Sequence, residues 1–135
     1  MERYMNRFIY FLFGIFLATN LLAKPLVSIE GNYFCKGNDP TMIPADYTGQ
    51  IDIKKVNSAY ILNEGALTNA SFTYKQVALR EGNILSMAYQ PTNDPNTFGV
   101  ESMIISNDAK TLTGTFVYYA AHKKAGHEVC KRIEK

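Results

Sequence analysis

Two cysteines, two histidines and nine tyrosines are the side chains of this 135-residue sequence with the most obvious capacity for chemistry. His122 and His127 flank Lys123, Lys124 and Gly126, and Glu128 follows directly. A zinc or haem site there needs a third ligand and a recognisable spacing, and neither a catalytic zinc motif nor a haem-attachment motif occurs. His127 and Glu128 would make an acid–base pair only if they shared a face, which neighbouring strand residues do not. No serine sits in a G-x-S-x-G elbow, and no carboxylate pair is set apart by its spacing. The expectation is therefore no catalytic residue, no metal and no cofactor: the chain reads as a binding protein and not an enzyme.

The cysteines point elsewhere. Arg3 and Arg7, the apolar run Phe8–Ala18, and Leu21-Leu22-Ala23 before Lys24-Pro25 have the order of a charged n-region, an apolar h-region and a small-residue cleavage site. Residues 1–23 are read as a signal peptide and residues 24–135 as one domain, placed in the periplasm or secreted. Thr19-Asn20 interrupts the apolar run, which is shorter than the roughly 20 residues of a membrane span, so no stable span is expected after cleavage. Export leads to an oxidising compartment, where an even pair of cysteines bridges, and Cys35 with Cys130 would close nearly the whole domain into a loop. A reactive thiol or a metal ligand is the alternative, but Cys35 has neither a histidine nor a second cysteine close by in sequence.

The chain holds 14 basic and 12 acidic residues, and cleavage removes Glu2, Arg3 and Arg7, so the remaining domain is near neutral. That balance gives no basis for nucleic-acid binding. Lys123, Lys124, Lys131, Arg132 and Lys135 form a late basic cluster, read as a solvated rim.

Holding such residues in place falls to β-strands. Period-two patterning with β-branched and aromatic residues runs through the domain, clearest where Tyr47, Gly49, Ile51 and Ile53 alternate with Thr48, Gln50, Asp52 and Lys54. The pattern predicts strands over Ile29–Lys36, Tyr47–Lys55, Ser58–Asn63, Ala70–Leu79, Ile84–Gln90, Phe98–Ile105, Thr111–Ala120 and His127–Glu134. Short links carrying turn residues imply consecutive antiparallel hairpins. The fold expected is an all-β, eight-stranded antiparallel up-and-down barrel, in which the first and last strands are neighbours and a Cys35–Cys130 bridge would lock the seam.

Alternation places Tyr47, Phe72, Tyr74, Met87, Tyr89, Phe116 and Tyr118 on the inward face, as does that of Ile51, Ile53, Leu85 and Leu112. The first seven are the candidate lining of a ligand site, since inward hydroxyls in an apolar wall suit a small amphipathic ligand. Filling of the core by these same side chains is the competing reading. Two longer loops, Gly37–Asp46 and Pro91–Asn96, each carry Asn-Asp-Pro, read first as a turn former and second as the mouth of a cavity. The alternative function is a protein-binding module acting through these loops, such as an inhibitor of a periplasmic or secreted hydrolase.

Gly31-Asn32-Tyr33, Tyr47-Thr48-Gly49, Leu112-Thr113-Gly114-Thr115-Phe116 and Gly126-His127-Glu128 leading to Arg132 resemble small bacterial secreted proteins with a lipocalin-like (calycin) barrel, many without an assigned function. In that family a G-x-W on the first strand packs against a basic residue of the last strand. The resemblance implies the structural pair Tyr33 and Arg132, with Tyr33 standing where the family has tryptophan. A second resemblance, to periplasmic lysozyme-inhibitor barrels with a terminal-strand disulfide, is one of architecture.

Overall fold

A computed structural model of the protein describes residues 25–65, 67–70, 72–94 and 96–134. The proposed signal peptide, residues 1–23, lies outside the described residues, as does Lys135 of the basic cluster. Eight strands form in chain order: β1 Gly31–Asn38, β2 Asp46–Val56, β3 Ala59–Glu64, β4 Tyr74–Glu81, β5 Ile84–Pro91, β6 Gly99–Ile105, β7 Thr111–Tyr118 and β8 Ala125–Arg132. Each pairs antiparallel with the next, and β1 pairs with β8, so the sheet closes into an up-and-down barrel. Closure leaves no strand edge with unpaired backbone groups.

The tight turns sit on residues that tolerate a left-handed backbone. Asn57 between β2 and β3 has φ 56° and Gly82 between β4 and β5 has φ 59°. These short turns, with the Ser106–Lys110 turn, crowd one end of the barrel. The opposite end carries the longer connections around residues 39–45, 65–73, 92–98 and 119–124, the last holding a single 3₁₀ turn at Tyr119–Ala121.

The two ends are packed differently. At the tight-turn end, Ile29, Tyr33, Ile53, Leu62, Leu85, Met103 and Leu112 are fully buried and fill the lumen from wall to wall. Each such aliphatic side chain contributes about 1.5–3 kcal/mol relative to exposure. Tyr33 closes this end. Its hydroxyl accepts from Arg132 Nη2 at 2.7 Å and Nε at 3.1 Å, and faces the carbonyls of Ala109 at 2.9 Å and Ile29 at 3.0 Å. Arg132 Nη2 also donates to the Ser28 carbonyl at 2.8 Å, tying the segment before β1 to the last strand.

Cys35 and Cys130 are directly opposed in the β1–β8 register and form a disulfide 95 residues apart in sequence. In a chain-entropy treatment that loop is worth about 4–5 kcal/mol. The bridge stands at mid-barrel, on the border between the packed end and the other half.

Three strand starts move by two residues or more from the sequence reading, and β7 ends at Tyr118 and not at Ala120. Ile29 and Glu30 precede β1, where φ of 135° at Gly31 turns the chain into the strand. β4 begins at Tyr74 and not at Ala70, because residues 65–73 form the long connection that lays Leu67 over Gly49. β8 begins at Ala125, since Gly126 is already in register with Phe116 of β7.

Candidate functional site: an acidic, tyrosine-lined cavity at the long-loop end

Alternation along the strands carries a second set of side chains into the long-loop half of the lumen. β2 brings Tyr47, β4 Tyr74 and Gln76, β5 Tyr89, and β7 Phe116 and Tyr118. The rings pack edge to face: Tyr89 lies 5.6 Å from Tyr74, 5.4 Å from Tyr118 and 6.2 Å from Phe116, centroid to centroid. Such contacts add about 0.5–1.5 kcal/mol each beyond area burial.

What keeps these rings from filling the barrel is glycine. Tyr47 is in register with Gly37, Tyr89 with Gly99, and Phe116 with Gly126. A Cβ on any of the three glycines would lie within 2.3 Å of the facing ring, so each ring lies against the barrel wall over a missing side chain. The rings are held flat and a space of about 30 Å³ remains between them. In this measure a water needs roughly 10–15 Å³, so about two water-sized groups fit.

Three glutamates line the same space: Glu64 at the end of β3, Glu101 on β6 and Glu128 on β8. Glu101 is 8% exposed and its Oε1 would meet a Cβ on Gly114 at 2.2 Å, so it too occupies the room of a missing side chain. Tyr47 donates to Glu128 Oε2 at 2.8 Å, and Gln76 Nε2 donates to Glu64 Oε2 at 2.6 Å. Glu101 Oε1 and the Tyr89 hydroxyl are buried and have no partner among the described residues.

Burial dominates the electrostatics. It pushes the Glu64 carboxyl up to about 8, aided by the charge of Glu128 and opposed by the Gln76 hydrogen bond. Burial and the neighbouring Glu128 and Glu64 raise Glu101 well above the carboxylate range, and burial raises Glu128. Tyr74 is pushed to about 12 by burial, and Tyr47, Tyr89 and Tyr118 are also raised, so the phenols stay protonated.

A relay of hydroxyls forms the ceiling. Tyr118 donates to Asp39 Oδ2 at 3.0 Å, and the Tyr74 hydroxyl lies 2.8 Å from that of Tyr118. Asp39, only 2% exposed, also accepts from Thr41 N at 2.8 Å and Thr41 Oγ1 at 2.6 Å. The first Asn-Asp-Pro therefore forms a turn and lines the cavity with one and the same carboxylate. Above this ceiling lies an outer bowl of about 280 Å³, bordered by Thr41 and Met42 of the first long loop, Asn93 and Asp94 of the second, and Phe72.

Five of the seven residues expected to line a ligand site, Tyr47, Tyr74, Tyr89, Phe116 and Tyr118, border the inner cavity. Phe72 does not: it precedes β4, packs on Tyr74 at 5.5 Å and belongs to the outer bowl. Met87 does not border the inner cavity either. It points inward two residues below Tyr89, but lies in the packed cluster at the other end. Asp39, Glu64, Gln76, Glu101 and Glu128 were not anticipated, although the alternation Gly99, Glu101, Met103, Ile105 does mark Glu101 as inward. His127 faces outward, within 3.2 Å of Thr115 Oγ1, and His122 is exposed at the 3₁₀ turn. Among the described residues, the one set of three ligand atoms lying within 4.8 Å of one another is Cys35, Glu128 and Cys130, and its two sulfurs are bonded to each other.

No protein-family model and no curated protein matches the chain. Among solved structures it is similar to a redesigned beta barrel, mFAP1, bound to DFHBI, with a TM-score of 0.62 and 10% identity over 77% of this chain and 94% of that one. It is also similar to EF1p2_mFAP2b bound to DFHBI, with a TM-score of 0.60 and 7% identity over 78% of this chain and 94% of that one. At these identities the likeness is one of fold. Among the described residues no helix is long and apolar enough to cross a membrane.

Proposed function

We propose that this protein is a non-catalytic, exported binding protein that takes a small amphipathic ligand at the long-loop end of its barrel, in the periplasm or outside the cell. The observation that carries this reading is the pairing of two spaces: an inner cavity with convergent polar groups, and an outer bowl walled in part by Phe72, Met42 and Pro91. A polar head fits the first and an apolar body the second. Two similar barrels hold DFHBI, which supports the use of this architecture for small ligands. The disulfide suits an oxidising compartment. An inner cavity of about 30 Å³ holds a functional group but not a scissile bond with its substituents, which favours binding over turnover. Native mass spectrometry of protein purified from its own source tests the reading: extra mass that disappears on denaturation is expected, and its absence at full disulfide content would count against it.

A second reading is a protein-binding module of the lipocalin-like or inhibitor-like barrel type, presenting the first long loop to a partner such as a hydrolase. Ile43 supports it, being 99% exposed at the tip of that loop. Substitution Ile43→Asp would abolish partner capture under this reading and leave small-ligand binding intact.

A further inference from the structure

We infer that the head group taken by the inner cavity is a cation, a primary ammonium, seated against the lumen carboxyl groups. The inference rests on the small-ligand reading above and specifies its chemistry.

Charge is the first argument. Asp39, Glu64, Glu101 and Glu128 border the inner cavity, and no lysine, arginine or histidine does. Buried carboxyl groups without a cation must hold protons or be destabilised. Glu101 Oε1 is buried there and has no donor. The second argument is independent of the acids. The Tyr89 hydroxyl, on a side chain 94% buried by its 6% exposure, borders the cavity and has no hydrogen-bond partner. A phenol oxygen and a carboxyl oxygen, both unmet, ask for a donor with more than one N–H. Ring faces of Tyr47, Tyr89 and Phe116 around the space add cation–π attraction.

Spacing decides between ammonium and a metal ion. The oxygens of Glu64, Glu101 and Glu128 do not all come within 4.8 Å of one another, so they do not converge as a metal's ligands would. An ammonium, with acceptors at about 2.7–3.0 Å, takes the unmet Tyr89 hydroxyl as one of them and so does not need all three carboxyl groups. Its alkyl body would pass the Tyr74–Tyr118 hydroxyl pair into the outer bowl, parting a single hydrogen bond. On entry, a proton held by Glu101 leaves for solvent, and the ammonium takes its place beside the carboxylate. One proton is released as one cation is bound.

Isothermal titration of the full domain with hexylammonium, hexan-1-ol, hexanoate and calcium ions, in two buffers of different ionisation enthalpy near pH 8, tests this. The expected result is saturable binding of hexylammonium, about tenfold or more tighter than hexan-1-ol, with release of close to one proton, and loss of that preference in Glu101→Gln. Glu64→Gln and Tyr89→Phe should weaken hexylammonium severalfold and, with folding checked by circular dichroism, serve if Glu101→Gln does not fold. Equal affinity for the alcohol would overturn the cation inference and leave the binding reading standing. Calcium binding in preference to hexylammonium would overturn it in favour of a metal. No saturable binding of any probe would remove both readings.

Discussion

Glu101 Oε1 lies over Gly114, 2.2 Å from where a Cβ would stand. The two residues belong to the adjacent strands β6 and β7, and the carboxyl oxygen occupies the room that the glycine leaves. Substitution Gly114→Ala should expel the Glu101 side chain, cost about 1–3 kcal/mol by overpacking, and abolish ligand binding. Chemical denaturation with parallel ligand titration checks both. Full stability with intact binding would mean that the Glu101 carboxyl is not fixed by this contact.

The lumen carboxyls make stability pH-dependent in an unusual sense. Glu64 rises from an ordinary value of 4.5 to about 8 in the folded protein through burial, and Glu101 and Glu128 are raised too. Between those values the folded state holds protons that the unfolded chain has released, so stability falls as pH rises. The ligand-free protein should therefore melt at a higher temperature near pH 5 than near pH 8, with Glu64's share of the decline complete once it has ionised in the folded protein. Glu64→Gln should flatten the profile. Rising stability over this range would contradict the burial of these groups.

Across the mid-barrel seam, Cys130→Ser should lower stability by about 2–5 kcal/mol under oxidising conditions. The same substitution measured in reductant should change little. An equal unfolding midpoint for parent and variant in oxidant would mean that the bridge does not restrain the chain.

At the closed end, Tyr33→Phe removes the acceptor of two Arg132 N–H groups. The cost should be about 1–3 kcal/mol, with ligand affinity unchanged because the packed core separates this end from the cavity. A drop in affinity comparable to the loss of stability would show that the two ends are coupled.

Much of this architecture is legible from period-two alternation and turn residues alone. Tyr47, Ile51 and Ile53 face inward as their spacing requires, and Cys35 and Cys130 fall opposite each other because first and last strands must meet when a barrel closes. The site was only half legible. Aromatic residues on an inward face announce a core or a lining, and register alone separates the two: Tyr89 and Met87 share a face, yet one borders a cavity and the other is packed solid. Glu64, Glu101 and Glu128 lie on the inward phase of their strands, but a charged residue at that phase is ordinarily taken for a break in the pattern. What reveals the cavity is the set of glycines opposite its rings. Gly37, Gly99 and Gly126 read as weak points in strands until the pairing shows a ring, each time, across the ladder.

The most direct test of the binding site is an amide-resolved NMR titration of the folded domain with hexylammonium near pH 8. The largest shifts should fall on Gly99, Gly114 and Gly126, the residues beneath the Tyr89 and Phe116 rings and the Glu101 carboxyl, while Ile53, Leu85 and Leu112 at the packed end stay still. Shifts confined to the outward face of β4–β6, or none at all, would contradict this placement of the site.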